Sequence, residues 1–152
     1  MNNLKPNKYQ FLFICISIVL IDQYTKLFIS NNIDKFINKK IFVISIDYVR
    51  NYGAAFNIFD GNRIFLSIIS LSVSLILIYL IFLNYKSEYI VKLSYSFILG
   101  GTMGNGIDRF LNGFVIDFIK FNSIKFPVFN IADISINIGF IILFYCLIRN
   151  KY

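Results

Sequence analysis

Ile64 to Leu83 is an unbroken run of twenty residues with no charge, no glycine and no proline. At about 1.5 Å per residue, a helix of that length spans about 30 Å, the thickness of a bilayer's hydrocarbon core. This run commits the chain to lipid, and the composition agrees. Of 152 residues, 57% are hydrophobic and 15% charged. Soluble domains average about 45–50% apolar and about 25% charged residues. The same figures exclude a disordered chain. Four spans of roughly 20 residues use about 80 and leave room for loops, whereas six do not fit.

Three further spans are expected. Tyr9 to Ile29 follows Lys5 and Lys8 and runs through FLFICISIVLI to Asp22-Gln23-Tyr24-Thr25-Lys26. No small-residue cleavage site follows Ile21, and the apolar pattern resumes at Leu27, so an uncleaved first helix is expected. Leu93 to Ile107, reaching to about 110, carries Gly100, Gly101, Gly104 and Gly106. That density predicts close helix packing in lipid. The last span covers about 131–149 and ends in Arg149. Between the first two helices, Ile41 to Phe56 is rich in β-branched and aromatic residues and predicts strand, in a β-rich loop of about 37–60. Phe114 to Ile119 predicts a second strand, and Pro127 a turn before the last helix. With four spans, both strand regions share one face, opposite the short loop from Asn84 to Lys92. The expected fold is a single integral-membrane unit: an all-α core of four transmembrane helices with a small extracytoplasmic β-cradle.

Several functions are excluded. The chain has no histidine, which removes His-based triads and His-ligated zinc. Its two cysteines, Cys15 and Cys146, sit singly in apolar runs and are expected to be buried and free. The net charge of +7 is scattered between apolar runs. This fits attraction to anionic headgroups and not to nucleic acid. Lys and Arg fall on both faces, with most of the acids on the larger one, so charge counting leaves the orientation open.

Ionisable groups near a bilayer need a reason. Asp22, Lys26, Asp108, Arg109, Asp117 and Asp133 all fall at one end of their helices or in the loop on that side. Asp22 and Lys26, four apart, can pair on one helix face. Arg109 beside Asp108 suggests a charged brace. Asp117 lies between Val115-Ile116 and Phe118-Ile119, and Asp133 between Ala132 and Ile134. Two carboxyls in apolar surroundings, brought together, share one proton. One then takes a proton from water while the other polarises a carbonyl. Asn51, Asn105 and Asn130 stand near these acids and offer amide donors and acceptors. The plain alternative is a set of ion pairs that only locks the helix ends.

At these residues the chain resembles lipoprotein signal peptidase, also called signal peptidase II. Five blocks follow the family's order: Asp22-Gln23-Tyr24-Thr25-Lys26, Asn51-Tyr52-Gly53-Ala54-Ala55-Phe56, Gly100 through Arg109, Val115-Ile116-Asp117-Phe118, and Phe129-Asn130-Ile131-Ala132-Asp133. The resemblance implies Asp117 and Asp133 as the catalytic pair. Asn51, Gly53, Asn105, Asp108, Arg109, Asn130 and Ala132 would shape the site, with Asp22 and Lys26 in support. It implies both termini in the cytoplasm and a site at the outer leaflet of the bacterial cytoplasmic membrane. The substrate would be a prolipoprotein cut just before its diacylglyceryl-cysteine. No metal or cofactor is implied, and a monomer in contact with membrane lipid is expected. Two other readings compete: a Ser/Lys peptidase built on Lys26, and a non-enzymatic scaffold or transporter subunit whose acids relay protons or ions.

Overall fold

The computed structural model describes residues 8–37, 39–54, 58–83 and 89–149. Lys5, Ala55, Phe56, Lys86, Lys151 and most of the short loop lie outside these. The described elements are α1 (Lys8–Asn31), α2 (Ile33–Phe36), β1 (Lys40–Ile41), β2 (Ile44–Asn51), α3 (Arg63–Leu83), α4 (Tyr89–Asn112), β3 (Val115–Phe121) and α5 (Ile131–Arg149).

Three of these helices are long and apolar enough to cross a membrane: Tyr9–Asn31, Arg63–Phe82 and Ile131–Arg149. Their outer faces carry exposed Phe13, Leu20, Ile64, Leu71, Ile141 and Phe144. In water such faces would be sites of aggregation, and in lipid they are ordinary solvent contact. The expected fourth span, α4, is as long as α1 but more polar, because glycines, serines, Asn105, Asp108 and Arg109 interrupt it. Its position explains the composition: α1, α3 and α5 all pack against α4. A Cβ on Gly104 would lie 2.6 Å from Asp22 Oδ2, so only glycine lets α1 approach there.

The sheet is antiparallel in the order β1-β2-β3. Its strands are shorter than the sequence suggests. The run expected as strand from Ile41 to Phe56 turns at Phe42, whose φ is 54°, and β2 ends at Asn51. α2 was not expected. α4 begins at Tyr89, four residues before the apolar run that predicts it. β2 and β3 pair with Asn51 opposite Val115 and Val49 opposite Asp117, across an irregularity between Ile46 and Val49. This register brings the Asn51 motif beside the Asp117 motif. Phe129, after Pro127, bridges to Ile119 and ties the segment before α5 to the sheet.

Two apolar clusters bracket the polar residues of α1. Phe11 and Cys15 pack with Leu77, Ile81, Ile98 and Leu99. Ile29 packs with Ile116 and Phe118 beneath the sheet. Between these two levels of α1 lie Asp22 and Lys26, both buried.

Candidate active site

The site begins with how α5 starts. Asn130 Oδ1 accepts from Asp133 N at 2.9 Å, and Asp133 Oδ2 accepts from Asn130 N at 3.1 Å. The Asn130 carbonyl accepts the first helical bond, from Ile134 N. This is a reciprocal capping box, which satisfies helix-terminal N–H groups that would otherwise be orphaned. A further terminal donor, Ala132 N, is taken by Asp22 Oδ1 at 2.9 Å. Helix capping therefore fixes both Asp133 and Ala132.

Asn130 also reaches the sheet. Its Nδ2 donates to Asp117 Oδ1 at 2.7 Å, to Asn105 Oδ1 at 3.0 Å and to the Ile116 carbonyl at 3.3 Å. Asp117 receives a second donor from Asn51 Nδ2 at 3.0 Å. Asn51 Oδ1 in turn accepts from Gly53 N at 3.0 Å, a side-chain turn that shapes the end of β2. Asp133 Oδ1 accepts from Asn105 Nδ2 at 2.8 Å. Asp117 and Asp133 line one cavity of about 570 Å³ with Asn51, Asn105 and Arg109. Ser70, Thr102, Phe121, Phe126 and Phe129 complete much of its wall.

Burial pushes the Asp117 carboxyl up to about 7. The charge of Asp133 acts in the same direction, against hydrogen bonds from Asn51 and Asn130 and the charge of Lys26. Asp47, on the same sheet, moves the opposite way. The Tyr48 N–H holds its carboxylate below the usual range, and Lys120 pairs with it at 3.1 Å.

Behind the cavity lies a buried ion cluster. Lys26 Nζ is 2.8 Å from Asp22 Oδ2, 2.9 Å from Asp108 Oδ2 and 3.0 Å from Asn105 Oδ1. An ammonium has three N–H donors, so all are engaged. The expected pairing of Asp108 with Arg109 is thus corrected. Adjacent helical residues point about 100° apart and do not face each other, whereas Lys26 comes from the neighbouring helix. Asp108 also accepts from Ile116 N at 3.2 Å, tying α4 to β3. Arg109 instead turns to the cavity and donates from Nη2 to the Gly53 carbonyl at 3.1 Å.

All the residues singled out from the sequence belong to this one network. Others were missed. Gln23 stands inside a recognised motif, and its amide donates to Asp108 Oδ1 at 3.0 Å and to the Gly104 carbonyl at 3.1 Å. Its place between Asp22 and Lys26 was the available signal. Arg63 donates to the carbonyls of Arg109 and Phe110, capping the end of α4. No sequence pattern announces that contact.

The chain matches the family described as Signal peptidase (SPase) II over residues 14–149. It is 47% identical over 137 residues to the lipoprotein signal peptidase of Wigglesworthia glossinidia brevipalpis, covering 87% of this chain and 90% of that one. It is 35% identical over 136 residues to the lipoprotein signal peptidase of Enterococcus faecalis, covering 88% and 84%. Its fold is similar to that of a bacterial membrane enzyme solved by the in meso method at 2.3 Å resolution. There the TM-score is 0.84 and the identity 32%, over 93% of this chain and 89% of that one.

Proposed function

This chain belongs to the signal peptidase II family, and we propose that it removes lipoprotein signal peptides as an intramembrane aspartic endopeptidase with Asp117 and Asp133 as its catalytic pair. The observation that carries this reading is Asn130. One side chain donates to Asp117 and is locked by its capping box to Asp133, so both carboxyls are held on one cavity wall. A carboxyl pushed to about 7 holds a proton near neutral pH. The protonated member of the pair donates to the scissile carbonyl oxygen, and the ionised member takes a proton from the attacking water. Breakdown of the tetrahedral intermediate returns a proton to the leaving amine.

The scissile bond lies just before a cysteine carrying diacylglycerol. The lipid stays in the bilayer and limits where that bond can travel, converting a search in solution into positioning at a surface. We read α4 as the fourth span, since it packs with the three apolar helices and turns its polar residues to α1 and the cavity. Both termini then lie on the cytoplasmic side, and the sheet and site face outward across the cytoplasmic membrane. The working unit is a monomer in contact with lipid.

The competing readings fare worse. A Ser/Lys mechanism needs a neutral lysine, and Lys26 is ion-paired to two carboxylates with every donor engaged. A scaffold or transporter does not account for membership of a peptidase family. The test is purified protein in detergent, without partners, given a precursor with or without diacylglycerol on its cysteine. A shortened product from the lipidated precursor alone is expected. No cleavage by folded protein across pH 4–9 would overturn the reading.

A further inference from the structure

Three asparagine amides surround the two acids, and each is keyed at its oxygen by a group that donates. Asn51 Oδ1 takes the Gly53 N–H, Asn130 Oδ1 takes the Asp133 N–H, and Asn105 Oδ1 takes the Lys26 ammonium. An amide whose oxygen is claimed in this way presents its NH₂ on the other side. In all three cases that NH₂ faces Asp117 or Asp133. Two of the keys are backbone and fixed by the local fold. The third is a side chain from α1.

We propose that Lys26 is a positioning residue, whose ammonium holds the Asn105 amide with Nδ2 turned to Asp133. The proposal rests on the reading of Asp133 as one of the catalytic pair. Asn130 Nδ2 also reaches Asn105 Oδ1, but its two protons are shared with Asp117 and the Ile116 carbonyl. Lys26 has three protons for three acceptors, so one of them is left to Asn105 alone. The Asp22 and Asp108 carboxylates hold the ammonium in place, and the amide of Gln23 donates to both carboxylates. Without Lys26 the Asn105 oxygen keeps only the shared Asn130 donor, and an amide that turns over brings that oxygen to face a carboxylate. The donor that favours the ionised form of Asp133 becomes an acceptor that opposes it.

The charged groups around Asp133 are Asp22 and Lys26 on α1, Asp108 and Arg109 on α4, and Asp117 on β3. The one charge on α3, Arg63, is engaged with the end of α4. Removing Lys26 therefore changes both an amide and a field, and the experiment separates them. The pH dependence of kcat/KM is measured for wild type, Lys26→Arg, Lys26→Met, Asn105→Ala and the Lys26→Met/Asn105→Ala double variant. Wild type is expected to give a bell-shaped profile; its absence would count against the dyad and not against the key. In Lys26→Met the acid limb is expected to rise by about one pH unit. Turnover should fall about 10- to 100-fold, the worth of a hydrogen bond to a charged group, with KM within about twofold of wild type. Lys26→Arg, which also only donates, should recover most of this. In the Asn105→Ala background, Lys26→Met should move the acid limb by the field alone, clearly less than in the wild-type background. An equal shift in that background would mean that charge alone acts, and the proposal would be overturned. A Lys26→Met profile of wild-type shape would overturn it too. If Lys26→Met does not accumulate, Asp22→Asn/Lys26→Met/Asp108→Asn removes the unpaired carboxylates. Compared with the same variant carrying Asn105→Ala as well, it isolates the amide from the field. An acid limb higher with Asn105 in place than with Asn105→Ala supports the proposal, and one equal or lower contradicts it.

Discussion

Asn130 and Asp133 cap one another at the start of α5, each side chain accepting from the other's backbone N–H. The sequence Asn-Ile-Ala-Asp thus serves as a helix start and as a carrier of chemistry. The two roles are separable. Aspartate caps a helix about as well as asparagine but has no amide to donate. Asn130→Asp keeps the cap but sets a buried oxygen against Asp117 and the Ile116 carbonyl, so it should cost about 1–3 kcal/mol while turnover falls at least about 100-fold. A calorimetric scan beside a cleavage assay checks this. A variant that fails to fold, or one that retains turnover, would contradict the division.

Asp117 makes a signed prediction about stability. Its folded value of about 7 lies above the 3.8 of an ordinary aspartate. Between these values the native state binds more protons than the unfolded chain, so stability falls as pH rises through that window. The full effect is on the order of 4 kcal/mol. Asp117→Asn removes the penalty, so its thermal midpoint in detergent should exceed that of wild type at pH 7.5 and match it near pH 4. An unchanged difference between the two proteins across that range would contradict the assignment of the shift to Asp117.

Gly104 tests the packing that holds the ion cluster. A Cβ there meets Asp22 Oδ2 at 2.6 Å, whereas one on Gly61 meets nothing within 4 Å. Gly104→Ala should cost about 1–3 kcal/mol through overpacking and disturb Asp22. Gly61 has φ +75°, so Gly61→Ala carries backbone strain alone and should leave turnover intact. Thermal midpoints and cleavage rates of the two variants, side by side, distinguish these outcomes.

Topology is open to labelling because both native cysteines are buried. Lys125 lies exposed between β3 and α5, and Arg149 is exposed at the far end of α5. In intact cells, Lys125→Cys should react with a membrane-impermeant maleimide and Arg149→Cys should not. The reverse pattern would invert the proposed orientation.

Much of this architecture is legible in the sequence because lipid imposes simple rules. The run Ile64 to Leu83 anticipates α3 to within one residue at its start. The glycines of α4 anticipate its central place, since close approach needs them. The five motifs name nearly every polar residue of the site. What the sequence does not convey is who faces whom. Asp108 beside Arg109 reads as a pair, yet the helical turn sends Arg109 to Gly53 and leaves Asp108 to Lys26. Arg63 closing α4 and the three keyed amides are contacts between distant segments. No local periodicity encodes them. The turn at Phe42 breaks a strand that β-branched residues would continue, because antiparallel pairing of β1 with β2 outweighs local preference.

The central claim is that Asp117 and Asp133 act together on the scissile bond. Its most direct test is single-turnover cleavage of a diacylglyceryl-modified precursor by Asp117→Asn and Asp133→Asn, each first shown to be folded in detergent. Each variant alone should lose at least about a thousandfold in rate, and the double variant little more, because residues that act as a unit are not additive. Wild-type turnover by either folded variant would contradict the account.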